Sequence, residues 1–149
     1  MRTFYIFKIN KEYYNLTKNM PENLYNAYLN IKLSTKNNLK LLYNEYFSFT
    51  ESINKEALSN LLYNRLKNQD GYSIYKNIHQ FNNYYTDEVS KLIIFNSFMI
   101  LKSNIASPTF LTELIKIPNL FIVDFDKEDY FFLSDVKNLR SLNKINYSV

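Results

Sequence analysis

The feature that most constrains the fold is an apolar run near the N-terminus, residues 3–9, with the sequence Thr-Phe-Tyr-Ile-Phe-Lys-Ile. Nearly every position in this run is aromatic or β-branched, and such residues favour strands. A strand with one face in water alternates between apolar and polar residues, whereas this run is apolar on both faces. We therefore predict a central strand in a sheet that helices cover.

Helices are predicted where apolar residues recur at spacings of three and four. Asn10 can cap the first helix, and Pro21 is well placed in the first turn of the second helix, where proline is favourable. Ser107 followed by Pro108 marks the start of the last helix for the same reasons. The predicted helices cover residues 11–18, 21–33, 34–49, 55–68 and 107–117.

Further strands are expected at residues 91–96, 98–103, 119–124 and 130–133. Asn96 and Ser97 form a tight hairpin between the first two, and a charged turn from Asp126 to Asp129 joins the last two. Residues 72–85 are either a strand or irregular. If the strands at 98–103 and 119–124 are parallel neighbours, the helix between them makes a right-handed crossover.

The length of 149 residues fits one domain, residues 1–149, with a polar C-terminal tail from about residue 137. Together these segments predict an α+β fold. Its sheet is mostly antiparallel, has about five strands with the N-terminal strand central, and is covered by several helices.

The composition excludes several classes of protein. Gly71 is the single glycine, whereas a Walker loop, a Rossmann fingerprint and a nucleophile elbow each need several glycines. The absence of cysteine excludes disulfides, thiol catalysis and cysteine-ligated zinc, and it fits a reducing cytosol. Lys8 interrupts the first apolar run too early for a signal peptide, and no uncharged apolar run is long enough to span a membrane. We expect a cytoplasmic protein that is not an enzyme and binds no cofactor, metal or small-molecule substrate.

The net charge of +4 and the pI of about 9.1 would suit a small basic nucleic-acid-binding domain. Asn, Lys, Ile, Tyr and Phe are all abundant, however, and all have A/T-rich codons, so genome composition explains much of this balance. No cluster of Lys and Arg focuses the charge. Direct nucleic-acid contact is therefore the alternative interpretation and not the favoured one.

Two titratable features could support catalysis. His79 is the sole histidine, and without a partner motif it is expected to be a surface or half-buried residue. Asp124 and Asp126 fall on one face of a strand by alternation, which suits a metal ion or a carboxylate-based hydrolase. A turn rich in Asp, Lys and Glu between apolar strands is, however, typical of a solvated hairpin tip, which is the interpretation we favour.

The chain carries 14 tyrosines and 12 phenylalanines, and exposed tyrosine is enriched in protein interfaces. Tyr13 and Tyr14 are adjacent on a short predicted helix, about 100° apart, so both cannot lie fully in the core. A stripe of Tyr43, Tyr46 and Phe49 follows one side of the third helix, and we interpret it as core in preference to interface.

The C-terminal segment Asp124-Phe-Asp-Lys-Glu-Asp-Tyr130, with Leu133 and Val136-Lys137 after it, resembles the SirA family, the sporulation inhibitors of replication of spore-forming low-GC bacteria. The opening strand, which runs into a Lys-Glu-aromatic helix start, is similar to that family as well. The hairpin and the last helix follow in the family's order. This chain has Phe131-Phe132 where the family commonly has Gly-Trp.

The resemblance implies a non-enzymatic inhibitor of the initiation of chromosome replication. Such a protein binds the N-terminal domain of the replication initiator DnaA and blocks its assembly at the origin. The family's contact positions on the first helix correspond to Tyr13 and Thr17, with Tyr14 beside them. A second contact region lies on the following helices, where we assign Tyr43 and Tyr46 from the aromatic stripe.

Overall fold

The N-terminal strand is an inner strand of one large sheet. A computed structural model describes residues 1–34 and 39–136 of the chain. In those ranges the sheet has eight strands. They are β1 (Arg2–Ile9), β2 (Thr50–Glu51), β3 (Tyr72–Tyr75), β4 (Ile78–Asn83), β5 (Glu88–Ile94), β6 (Met99–Ser103), β7 (Leu120–Asp124) and β8 (Asp129–Phe132).

Five α-helices and a closing 3₁₀ helix complete the described part of the fold. The α-helices are α1 (Lys11–Thr17), α2 (Pro21–Leu33), α3 (Leu39–Phe49), α4 (Lys55–Leu66) and α5 (Thr109–Leu114), and the 3₁₀ helix is Leu133–Asp135. Ser34, the first residue of the predicted third helix, is extended and is the C-cap of α2. The rest of the predicted start of that helix and the predicted polar tail fall on residues 35–38 and 137–149, outside the described ranges.

The strand order is β3-β4-β5-β6-β1-β7-β8, and β2 pairs with the end of β1. All of the pairings are antiparallel. The prediction of an α+β fold with a mostly antiparallel sheet is therefore confirmed. The sheet holds more strands than the expected five or so, because residues 72–85 contribute the β3–β4 hairpin and residues 50–51 contribute β2. Strand β1 is an inner strand but does not lie at the midpoint of the order.

Strands β6 and β7 both pair antiparallel with β1, one on each side of it. They are therefore parallel to each other, with β1 between them and α5 in the connection that joins them. The condition set for a crossover, that the two strands are direct neighbours in the sheet, is not met, because the N-terminal strand lies between them.

Side chains alternate along β1 and so enter two separate cores. Phe4 and Ile6 point to one face and pack with apolar side chains of α4 and α5, including Leu62 and Phe110. The second core lies on the opposite face, beneath α1, α2 and α3. Its buried members include Phe7, Ile9, Leu24, Tyr28, Phe49, Phe121 and Phe132. Helices therefore cover β1 on both faces, as its uninterrupted apolar sequence requires.

Local sequence signals set most of the element boundaries. The Asn10 side chain accepts a hydrogen bond from the backbone N–H of Tyr13 at 2.8 Å, so it caps α1 as expected. Pro21 begins α2. Helix α5 begins at Thr109, and its N-cap is Pro108 instead of the expected Ser107. A carboxylate oxygen of the buried Glu88 accepts the backbone N–H of Thr109 at 3.0 Å. A carboxylate at a helix N-terminus complements the unpaired N–H groups there.

The turn expected at Asp70–Gly71 is present. Gly71 has φ +83°, and a Cβ atom built there would lie 2.5 Å from the backbone oxygen of Asn82. Glycine is therefore required at this position both for its backbone conformation and for the close approach of β4. No helix in the described ranges is long and apolar enough to cross a membrane.

Candidate functional site

A groove with a volume of about 840 Å³ lies between α2, α3 and the sheet. Helices α2 and α3 cover β1, β7 and β8, whereas no helix of the described ranges packs on this face of the neighbouring β5–β6 hairpin. The groove follows that boundary. Its lining is mostly aromatic, and the aromatic members are Tyr5, Phe7, Tyr28, Tyr43, Tyr46, Phe47, Phe98 and Phe125.

The floor of the groove is held together by ring stacking and a buried hydrogen bond. The rings of Phe7 and Tyr28 stack with centroids 3.8 Å apart and planes 9° apart. The Tyr28 hydroxyl shares a hydrogen bond with Thr50 Oγ1 at 2.6 Å, and burial raises the pKa of Tyr28 far above its ordinary value. The phenol therefore stays neutral, and this hydrogen bond ties α2 to the short strand β2.

Tyr46 holds one wall in place. Its hydroxyl donates to the backbone carbonyl of Ser97 in the β5–β6 turn, so α3 is tied to the hairpin across the groove. Burial raises the pKa of Tyr46, so this hydroxyl remains a donor under physiological conditions. Its ring meets the edge of Phe47 with centroids 5.0 Å apart.

Tyr43 stands at the rim and is 65% exposed. Its ring contacts Phe47 with centroids 4.6 Å apart. Of the stripe predicted as core, Phe49 is buried, Tyr46 is half-buried and Tyr43 is not in the core at all. The prediction of a core position is wrong for Tyr43, because α3 extends past the edge of the second core and the side chain reaches solvent.

The opposite wall comes from residues that the sequence analysis did not single out. Tyr5 packs on Phe98 and on Phe125, with ring centroids 6.2 Å and 5.3 Å apart. The Nζ atom of Lys32 lies 4.6 Å from the centroid of the Phe125 ring. Phe125 was visible in the sequence only as part of a turn motif. Its role depends on the β1–β7 pairing, which no local pattern specifies.

The three predicted contact residues on α1 do not line the groove. Tyr13 and Tyr14 are both half-buried, which confirms that adjacent tyrosines do not both enter the core. Tyr13 lies against Phe49 with ring centroids 5.7 Å apart. Thr17 is buried, and its hydroxyl donates to the Tyr13 carbonyl at 2.6 Å. Thr17 thus serves the helix itself and presents little surface to a partner.

The predicted sites therefore fall into two regions of the same helical layer. The α1 region and the groove meet at the buried Phe49, which contacts Tyr13 on one side and Tyr46 on the other. Two exposed apolar side chains extend the α1 region: Leu16, three residues after Tyr13 on the helix, is 71% exposed, and Met20, between α1 and α2, is 52% exposed. Exposed leucine and methionine at a helix end were not distinguishable in the sequence from core residues.

The acidic turn is not uniformly solvated. Asp124 is only 2% exposed, and its Oδ2 atom lies 2.9 Å from Arg2 Nε. Its other oxygen accepts the backbone N–H of Lys127 at 3.1 Å. The expected solvated tip is therefore wrong for Asp124, because β1 places Arg2 beside the end of β7. Asp126 is exposed, as expected for a turn residue. Within residues 1–34 and 39–136, no group of three or more His, Cys, Asp or Glu side chains could hold a metal ion.

His79 is completely buried, so the expectation of a surface or half-buried histidine is also wrong. Its Nδ1 atom lies 2.7 Å from the Tyr72 hydroxyl and its Nε2 atom 2.9 Å from Ser59 Oγ. Burial lowers the pKa of His79 to about 4 and raises that of Tyr72 to about 12. The neutral imidazole joins β4 to β3 and α4, and none of these three residues lines the aromatic groove.

No protein-family model matches this chain, and a comparison with curated proteins finds no similar sequence. The likeness to the SirA family accordingly rests on the residues quoted above.

Proposed function

We propose that this chain is a non-enzymatic, cytoplasmic inhibitor of replication initiation that binds the N-terminal domain of DnaA. The observation that carries the proposal is the aromatic groove with exposed Tyr43 at its rim and the fixed Tyr46 in its wall. Aromatic side chains that line preformed pockets are typical of the hot spots that contribute most of the binding energy in protein interfaces. The resemblance to the SirA family supplies the identity of the partner.

The α1 region supports the same proposal. Tyr13 is half-buried, and the apolar side chains of Leu16, on the same helix, and Met20, just after it, face solvent. Several exposed apolar side chains within one short segment are typical of a contact surface. In this proposal Tyr13 and Tyr14 contact the partner with their exposed edges, and Thr17 fixes the helix that carries them.

The mechanism is stoichiometric occlusion. One molecule of the inhibitor covers a surface of DnaA that DnaA needs in order to assemble or remain at the origin. No bond is made or broken, so the process requires no nucleophile, general base or oxyanion site. The inhibitor acts through its concentration relative to DnaA and through the area that it buries.

The experiment is isothermal titration of this 149-residue chain with the isolated DnaA N-terminal domain from the same bacterium, without DNA, at two salt concentrations. We expect saturable 1:1 binding that remains measurable at the higher salt concentration, because burial of aromatic groups is little affected by ionic screening. The absence of binding, together with steeply salt-sensitive retention on bare duplex DNA, would instead favour the nucleic-acid-binding alternative.

A further inference from the structure

A ladder of paired side chains runs along the open face of the β5–β6 hairpin. The register places Ile93 opposite Ile100 and Lys91 opposite Lys102. At the turn end of the same face, Phe95 and Phe98 stack with ring centroids 5.1 Å apart. The ladder is therefore aromatic at one end, aliphatic in the middle and basic at the other end.

The lysine pair is unusual because like charges directly opposite each other destabilise a sheet. Neither Lys91 nor Lys102 forms an ion pair with any residue in the described ranges. Their next neighbours across the sheet are uncharged, since Gln80 lies opposite Lys91 and Thr3 lies opposite Lys102. No residue directly opposite either lysine on the sheet therefore balances this positive charge.

This basic end is continuous with the aromatic groove. A second, smaller cavity of about 260 Å³ includes Lys102 in its lining and shares Tyr5, Lys32 and Phe125 with the groove. Asp126 is the one carboxylate that lines it, against the two amines of Lys32 and Lys102. From Phe98 to Lys102 the strand extends about 14 Å, at roughly 3.4 Å per residue.

We infer that the groove and ladder bind an amphipathic segment of the protein partner that is apolar at one end and acidic at the other. Its apolar side chains enter the aromatic groove, and its carboxylates meet Lys91 and Lys102. A helix of about nine residues spans the same 14 Å or so, at 1.5 Å per residue. A single-stranded nucleic acid fits less well, because its phosphates require positive charge along the whole groove and not at one end.

This inference rests on the proposed function, since the segment belongs to the DnaA N-terminal domain. The test is calorimetric titration of that domain with the Lys91→Gln/Lys102→Gln double variant. We expect Kd to rise about tenfold or more, and the salt dependence of Kd to become shallower than for the unmodified chain. The control is Lys67→Gln/Lys76→Gln, which removes the same charge from exposed positions that line neither cavity, and its Kd should stay within about twofold.

The outcomes separate the two claims. If the unmodified chain binds the domain and the Lys91/Lys102 variant binds it equally well, the inference is overturned while the proposed function stands. If the unmodified chain does not bind, the proposed function fails and the inference falls with it. A variant that keeps its affinity for the domain but loses retention on duplex DNA would reassign the lysine pair to phosphate binding.

The Lys91→Gln/Lys102→Gln variant should unfold at the same urea concentration as the unmodified chain or at a higher one, because it removes a like-charge pair. Lys102→Gln alone provides a milder second variant.

Discussion

Arg2 and Asp124 form an ion pair that fastens the beginning of β1 to the end of β7. Arg2 Nε lies 2.9 Å from Asp124 Oδ2, and Arg2 Nη2 reaches Asp129 Oδ2 at 3.1 Å. The guanidinium group thereby spans both strands of the C-terminal hairpin. The Asp124 side chain is almost fully buried, whereas Asp129 is 29% exposed. An acidic motif that looks like a surface turn in the sequence is thus partly a structural anchor.

The first prediction concerns this anchor. Asp124→Asn leaves the Arg2 guanidinium without its buried counter-charge, so the free energy of unfolding should fall by about 2 to 3 kcal/mol. Asp126→Asn at the neighbouring exposed position is the matched control and should change it by less than about 0.5 kcal/mol. Urea unfolding of both variants at neutral pH measures the difference. Equal, small effects of the two substitutions would mean that the ion pair contributes nothing.

The second prediction concerns pH. Burial lowers the pKa of His79 to about 4 in the folded chain, below the ordinary value of 6.5. Protonation therefore favours the unfolded chain, so the contribution of His79 to stability is fully present above about pH 6.5 and is lost as the pH falls towards 4. The loss should amount to about 2 to 3 kcal/mol. His79→Gln removes the titration, so urea unfolding between pH 7 and pH 4 should show a shallower decline for this variant. Parallel curves for the two proteins would contradict the account.

The third prediction concerns the rim of the groove. Tyr43→Ala should weaken binding of the DnaA N-terminal domain by about 2 kcal/mol, roughly a thirtyfold rise in Kd, because an aromatic anchor is lost. Stability should change little, since the side chain is 65% exposed. Tyr63, on α4 and 43% exposed, lies away from the groove, so Tyr63→Ala is the matched control and should leave Kd unchanged. Calorimetry and urea unfolding together separate the two effects.

The fourth prediction concerns α1. Tyr13→Ala should weaken partner binding more than it weakens folding, although its ring contact with Phe49 means that some stability is lost as well. We expect the free energy of unfolding to fall by about 1 kcal/mol and binding to become weaker by about 2 kcal/mol. Thr17→Ala breaks only a hydrogen bond within the helix and should leave binding nearly unchanged. Unfolding of the Tyr13 variant, or unchanged affinity for the DnaA domain, would contradict the assignment of this face.

Local signals in the sequence predicted the elements well, and long-range pairings explain what they missed. The run at residues 3–9 specified an inner strand under helices because its own side chains demand burial on both faces. Asn10 and Pro21 set helix boundaries through contacts within a few residues. The burial of Asp124 depends instead on Arg2, 122 residues away, and that of His79 on the Ser59 and Tyr72 hydroxyls. No local pattern contains such contacts.

In the candidate site, too, local sequence patterns predicted some features, whereas others depend on contacts between distant segments. Tyr43 and Tyr46 were identifiable as an aromatic stripe with helical spacing, but which of them faces solvent depends on where α3 overhangs the sheet. Phe98 and Lys102 come from a hairpin that was predicted correctly. Their role became visible only when the strand register aligned one face of the hairpin with the groove.

The most direct measurement of the central claim is a titration of DnaA assembly on origin DNA with increasing amounts of this protein, without added metal ions or nucleotide beyond those that DnaA itself requires. Occlusion predicts that assembly falls in proportion to the ratio of the two proteins and is fully blocked near equimolar amounts. It also predicts that Tyr43→Ala shifts the curve to higher ratios. Full inhibition at a small fraction of the DnaA concentration would indicate turnover, and unaffected assembly at a large excess would show that the protein does not act on DnaA. Either result would contradict the account.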